Sequence, residues 1–372
     1  MENEKYLTEQ IITYLGNKRS LLNFIEISVK DVKKDLGKDK LDIFDVFSGS
    51  GVVARYFKQH SNKLYVNDLE DYSHTLNKCY LTNKESIDES ELEYWYKYLT
   101  NNLKDEKLKE TGFIRKLYSP VDDKNIELGE RAFYTTRNAK YIDTARQLID
   151  TVPEPYKTLF LGNLLYEASV KANTSGVFKG FYKNSITKKG QYGGNGEHAL
   201  KRILANIQID KPILSNHNCD FFVMQGDSNV VCEKIPTVDL AYLDPPYNQH
   251  PYGSNYFMLN LITNYVEPTD ISAVSGIPVD WNKSAYNKKS ESLNALELLC
   301  KKIKAKYILI SFNSEGFIEY KEMTNMLKKL GHVTTYKKKY NVYRGCRNLN
   351  NRNLYVYEYL FLLKKGGNDN DR

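Results

Sequence analysis

The stretch Asp42-Ile43-Phe44-Asp45-Val46-Phe47-Ser48-Gly49-Ser50-Gly51 decides the fold class. Its first six residues are mostly apolar and two glycines follow at once, the pattern of a buried strand running into a tight turn. Val52 to Gln59 then reads as a helix, and Lys63 to Val66 as a second strand ending at Asn67-Asp68. Strand, helix and strand in that order open a doubly wound α/β sheet. Glycines at the first turn let the backbone bend sharply and let a ligand approach the main chain with no Cβ between. Alone, the FxGxG turn suits an empty tight loop as well as a ligand, because the fuller GxGxxG fingerprint is missing. Asp68 favours the ligand. It stands 17 residues after Gly51 at a strand end, near the spacing of about 20 at which a carboxylate receives ribose hydroxyls.

Outward from this unit the texture changes. From about Asn83 to Ser215 there is an acidic stretch (Glu85, Asp88, Glu89, Glu91, Glu93), then mixed helical patterns and a Gly/Asn/Lys-rich loop. Strand-like runs return at Phe221 to Val223, Val238 to Leu243, Tyr307 to Phe312 and Tyr355 to Leu363. The expected organisation is one α/β domain from residues 1–82 and 217–364, an inserted region at 83–216, and a frayed tail at 365–372. A chain of 372 residues, 41% hydrophobic, is large enough for that core. Its net charge of +7 fits a polyanionic partner without demonstrating one. The five cysteines form no CxxC pair and the six histidines no HExxH spacing, so neither a disulfide framework nor a metal site is expected. Met1 to Gln10 is polar and no apolar run approaches the roughly 18 residues of a membrane span, so a cytoplasmic location is expected.

The second decisive stretch is Val238 to Leu243, an apolar strand that stops at Asp244-Pro245-Pro246-Tyr247. Reacting groups in open α/β sheets gather at the carboxyl ends of strands. Two prolines fix the chain and donate no hydrogen bond, leaving the Pro245 carbonyl free to point into a cleft. An aromatic amine is a poor nucleophile because its lone pair spreads into the ring. Accepting one N–H at Asp244 and the other at a backbone carbonyl favours a pyramidal nitrogen that can attack an electrophilic carbon. The ring of Tyr247 could stack on a base, an interaction worth roughly 1–3 kcal/mol. The bland alternative is a Pro-Pro turn that merely ends a strand. Upstream, Gly16 permits a turn and Lys18 offers a cation to a carboxylate; downstream, Asp227 could receive an adenine amine or cap a helix.

Together these residues compose a family pattern. Tyr14-Leu15-Gly16-Asn17-Lys18, Asp45 to Gly51, Asn67-Asp68, Gly226-Asp227 and Asp244 to Tyr247 resemble, in identity and order, the adenine-specific DNA methyltransferases of the Dam-like D12 class, in the alpha motif arrangement. Ile308 to Asn313, Tyr343-Arg344-Gly345 and Glu358-Tyr359-Leu360 look like its C-terminal elements. The resemblance covers the first 80 or so residues and the last 150. It implies a Rossmann-like S-adenosyl-L-methionine-dependent methyltransferase sheet with an inserted, mostly helical target-recognition domain. It implies a cofactor set of Tyr14 and Lys18 at the methionine end, Asp68 at the ribose, Asp227 near the adenine, and Asp45, Phe47, Ser48, Gly49, Gly51 and Asp244 around it. Asp244, Pro245, Pro246 and Tyr247 would carry catalysis. Asn17 and Tyr14 depart from the family, which often has glycine and tryptophan there.

A base within a duplex hides its amine, so the target nucleotide must be flipped out at a cost of a few kcal/mol. Residues 171–216 hold eight basic side chains against two acids, interleaved with Asn, Gly and aromatic residues. In this family's recognition slot they suit double-stranded DNA, with Lys179, Lys183, Lys188, Lys189, Tyr192 and Asn195 as expected contacts. A second basic cluster, Lys337 to Lys339 with Arg344 and Arg347, adds Lys338 and Arg344. Cytosine-N4 enzymes typically carry Ser at the first tetrad position, so Asp244 points to adenine N6. Membership of a restriction-modification system with a cognate endonuclease, in a prokaryote or phage, follows from the same resemblance. An inactive DNA-binding scaffold is disfavoured by the intact tetrad. A nuclease is rejected, because Glu319-Tyr320-Lys321 has no Pro-Asp pair suitably upstream.

Overall fold

Apolar runs that do not alternate are strands covered on both faces. In the computed structural model, which describes residues 2–194, 199–341 and 355–366, this holds for the centre of the sheet. The strands are β1 (Leu41–Asp45), β2 (Ser61–Asp68), β3 (Asp220–Gln225), β4 (Val238–Leu243), β5 (Ala305–Asn313), β6 (Gly331–Asn341) and β7 (Tyr355–Lys365). All six residues of β4 are buried. That includes Asp239, which is neutralised by Lys38 at 2.7 Å and Lys306 at 3.0 Å.

The seven strands form one sheet in the order β3-β2-β1-β4-β5-β7-β6. The first five are mutually parallel, while β7 runs antiparallel to both neighbours. This is the Rossmann-like methyltransferase architecture the sequence pattern implies. The order reverses between β1 and β4, whose Asp45 and Tyr242 are paired. A crevice opens at such a reversal, outside the carboxyl ends of the strands. The glycine turn leaves β1 there and Asp244 leaves β4 there.

β6 was not expected: Lys337 to Lys339 reads as a basic cluster. It is an edge strand, paired along its length with β7, and lysines on an edge discourage pairing with another chain. At the opposite edge β3 is half-exposed, and its Phe222 ring stacks on Tyr65 with centroids 4.9 Å apart.

One face of the sheet packs Phe44, Ala241, Ile308 and Phe361 against the helix Lys289–Lys302. The other packs Ile43, Leu240 and Leu309 against Leu22–Leu36 and Val52–Lys58. Between residues 83 and 216 the long elements are helices, at Glu89–Asn102, Thr136–Ile149 and Tyr156–Val170. Their apolar core is shared with the helices Asp71–Leu81 and Phe257–Asn264. The packing is close: a Cβ on Gly162 would fall 2.5 Å from the Cβ of Cys79. Among the described residues no helix is long and apolar enough to cross a membrane, and no group of three or more His, Cys, Asp or Glu could hold a metal. Cys79, Cys219, Cys232 and Cys300 are free and buried.

Candidate active site

The turn after β1 is held from behind by the helix Asp71–Leu81. Asn77 Nδ2 donates to Ser48 Oγ at 2.9 Å, and Ser73 Oγ donates to the Gly49 carbonyl at 2.6 Å. Gly49 sits at φ +50° and Gly51 at φ +77°, conformations that favour glycine. A Cβ on Gly49 would meet the Tyr14 hydroxyl at 2.9 Å, so the close approach there is made by a tyrosine of the N-terminal segment. Asp68 ends β2 and braces the same turn. Its Oδ2 accepts from the Gly49 amide at 2.7 Å and its Oδ1 from the Glu70 amide at 3.0 Å. The Leu69 amide and the Ser73 hydroxyl also act on this carboxylate. Burial raises the Asp68 pKa above the ordinary carboxylate value, against the pull of those amides.

Asp244 follows β4 on the far side of the crevice, and its Oδ2 lies 2.9 Å from Lys18 Nζ. The ammonium also donates to the Gly16 carbonyl at 3.1 Å. Burial works against the charge on Lys18, but the carboxylates of Asp244 and Glu358 outweigh it and hold the lysine above its usual pKa. Burial likewise raises Asp244, and Lys18 opposes that rise. Pro245 is buried, and the half-buried Tyr247 ring packs edge-on to Phe312 at 6.3 Å.

A cleft partly open to solvent lies here, and Pro245 and Tyr247 are not among the residues that line it. Of the expected cofactor residues, Tyr14, Lys18, Phe47, Ser48, Gly49, Asp68, Asp227 and Asp244 line it, and so does Pro246. Gly51 begins the next helix, and neither it nor Asp45 is part of the wall. Asp45 is fully buried; burial first, then the carboxylates of Asp244 and Asp68, push its pKa well up. Asp227 both lines the cleft and caps the helix Ser228–Val231, accepting from the Asn229 amide at 2.8 Å. The sequence left those two roles as alternatives; one position serves both placements. Among the lining residues Asp68, Glu70, Asp227 and Asp244 stand against one lysine, Lys18.

Several lining residues carried no sequence signal. Glu70 is buried, pushed up to about 7 by burial, and accepts from Asn260 at 2.6 Å and Asn282 at 3.2 Å. Asn282, Ser284, Tyr286 and Asn287 form another part of the wall, tied down where Asn287 donates to the Asn248 carbonyl at 2.8 Å. They lie in and before a single 3-10 turn, Ala285–Asn287, that carries no motif. Tyr252 stacks on Tyr14 at 5.0 Å, and Tyr256 stacks on Tyr14 from elsewhere at 4.8 Å. Their spacing of four after the tetrad was the one available hint.

The expected DNA contacts separate. Lys183 to Gly190 closes a short antiparallel turn, with Asn184 N donating to the Lys189 carbonyl at 2.9 Å. Lys179, Lys183 and Lys188 are exposed on or beside it. Lys189 is paired with Glu127 at 2.8 Å, and the Tyr192 hydroxyl is spent on Asp123 at 2.6 Å. Lys338 points across β6 toward Phe24, its Nζ 5.9 Å from the ring centroid. Asn195 and Arg344 lie outside the described residues. The segment entering the turn is anchored where Phe178 N donates to the Asn255 carbonyl at 2.7 Å.

The family model for the D12 class N6 adenine-specific DNA methyltransferase matches residues 14–326. Type II methyltransferase M.NlaIII of Neisseria lactamica is 28% identical over 362 residues, covering 95% of this chain and 99% of that protein. Modification methylase StsI of Streptococcus sanguinis is 28% identical, covering 95% of this chain and 52% of its own. Type II methyltransferase M.FokI of Planomicrobium okeanokoites is 30% identical with the same two coverages, so the chain spans about half the length of these last two relatives.

Proposed function

Because this chain belongs to the D12 class of N6 adenine-specific DNA methyltransferases, we propose that it methylates adenine N6 within one short sequence of double-stranded DNA, using S-adenosyl-L-methionine bound between β1 and β4. The observation that carries this is the convergence of the glycine turn, Asp68, Asp244 and Pro246 on one cleft.

The donor set fits the cofactor. Four acids to one lysine suit a ligand that is cationic at sulfur and rich in hydroxyl donors. Asp68 would hold the ribose; Asp227 would receive the adenine amine; Tyr14 and Lys18 would meet the methionine end. When bound, S-adenosyl-L-methionine supplies an activated methyl group. The chain's own residues do the rest. Asp244 and the Pro245 carbonyl accept the two N–H bonds of the target amine, which localises its lone pair. Lys18 keeps Asp244 ionised, hence able to accept. Tyr247 stacks on the extruded base.

Residues 83–216 are the proposed target-recognition region, and the exposed lysines of the 183–190 turn would offset part of the cost of flipping by neutralising phosphates. The names of the relatives support a modification role beside a cognate endonuclease, in the cytoplasm of a prokaryote or its phage and close to the nucleoid. Expression in a methylation-free host, with modified bases mapped genome-wide, tests base and site together. Methylated adenine at one recurring sequence is expected, and none with Asp244→Ala. Robust methylation by that variant refutes the assigned role of Asp244.

A further inference from the structure

We propose that Glu358 is a positioning residue for this reaction, sharing the Lys18 ammonium with Asp244 and so preserving Asp244 as a strong acceptor for the target amine. This rests on the function proposed above.

The fold gives no reason for a carboxylate at this position. Glu358 lies on the face of β7 that carries Val356, Leu360 and Leu362, all buried, and its own exposure is 7%. A leucine would continue that pattern. A buried carboxylate is costly unless paired, and a residue that breaks its local rule is the kind expected at a working site. Among the described residues Glu358 Oε2 is buried with no hydrogen-bond partner. In register Glu358 sits opposite Asn313 of β5, one residue beyond Phe312, which packs on Tyr247. Its carboxylate and the Lys18 ammonium act on each other and Asp244 acts on both.

Lys18 is in an ion pair with Asp244 at 2.9 Å and feels Glu358 from beyond ion-pair distance. With Glu358 ionised, the lysine charge is divided between the two carboxylates and the trio is net negative. With Glu358 neutral, the whole charge falls on Asp244 and draws electron density from the oxygens that must accept N–H. A net negative site also favours the positive charge that develops on the attacking nitrogen.

Burial raises Glu358 to about 6, with Lys18 opposing the rise and Asp244 adding to it. Among the described residues the facing groups are Lys18 from the N-terminal segment, Tyr242 from β4, and Asp244 and Tyr247 beyond it. Lys338 is opposite on β6, but its ammonium is over Phe24. Lys18 is held above the ordinary lysine range and both tyrosines above theirs, so none of the three changes charge in the range where Glu358 does. Above its pKa Glu358 is charged and the trio is in its working form; that form is lost as pH falls through it.

The test is single-turnover methyl transfer to a duplex carrying the mapped site, from pH 5.5 to 8.5, at saturating S-adenosyl-L-methionine. The wild type should rise through an inflection near pH 6. Glu358→Gln should be about tenfold slower at pH 8 and lack that inflection, with the affinities for cofactor and duplex held within about twofold. Glu358→Asp should recover part of the rate. A Gln variant with wild-type rate and inflection overturns the proposal. So does one that slows equally at every pH with the inflection intact, which marks a merely structural carboxylate. Should the Gln variant fail to fold, the Asp variant and the wild-type profile decide, and a wild type without an inflection between pH 5 and 7 overturns it. A wild type that methylates no adenine refutes the proposed function itself.

Discussion

Replacing Lys18 by methionine removes the ammonium 2.9 Å from Asp244 Oδ2 while keeping most of the length of the side chain. At an effective dielectric constant near 20, two unit charges at that distance attract by about 6 kcal/mol. Not all of this disappears, because the Asp244 side chain is 20% exposed and water can approach once the lysine is gone. Opposite charges at such range usually move a carboxyl by about 1–3 pH units, or about 1.4–4 kcal/mol. The sign follows from which form works. Asp244 must be ionised to accept an N–H, and that form is present above its pKa. Burial already raises the pKa and Lys18 restrains it, so removing Lys18 raises it further and brings the ionisation of Asp244 into the rate profile, moving the acid limb to higher pH than the Glu358 inflection of the wild type. Single-turnover rates at saturating cofactor should fall about 10–100-fold at pH 7 and partly recover toward pH 9. Thermal stability should shift the other way: a carboxyl whose folded pKa lies above its unfolded value stabilises the fold at low pH and loses that contribution as pH rises through the folded value. The variant should therefore be closest to wild-type Tm at low pH. A drop in rate that is the same at every pH, or an acid limb that does not move, refutes the role given to Lys18. Glu358→Gln shifts the balance of charge in the opposite sense, so the two variants should not resemble each other.

Asp68→Ala removes the acceptor for the Gly49 and Glu70 amides along with the proposed ribose ligand. Hydrogen bonds to a charged group contribute about 1.5–3 kcal/mol, so cofactor affinity by calorimetry should weaken about 10–100-fold; unchanged affinity removes Asp68 from the site. Lys183→Gln with Lys188→Gln should lower the slope of log affinity against log salt by about 0.9 for each phosphate that is no longer neutralised. Lys189→Gln should change it less, because Glu127 already neutralises that lysine. Equal slopes in wild type and double variant take the turn out of the DNA interface.

Elements whose signals are local are legible in the chain alone. A strand covered on both faces is an unbroken apolar run, so β1 and β4 could be read directly, as could the turn that follows β1 and the tetrad that follows β4. Each of those signals spans about ten residues because backbone conformation and strand-end position are set by near neighbours. What such signals meet was settled by packing. The sheet laid β1 beside β4, bringing Asp68 and Asp244 to one cleft across 176 positions of sequence. Packing made Lys18 the partner of Asp244 rather than leaving it a cation for the cofactor alone, and it buried the carboxylate of Glu358. It turned a lysine cluster into the edge strand β6, and it cancelled Lys189 with Glu127 while leaving Lys188 exposed. Periodicity reports which face of an element is covered, whereas the charge state of a buried group depends on every charge within a few ångströms, whatever its place in the chain.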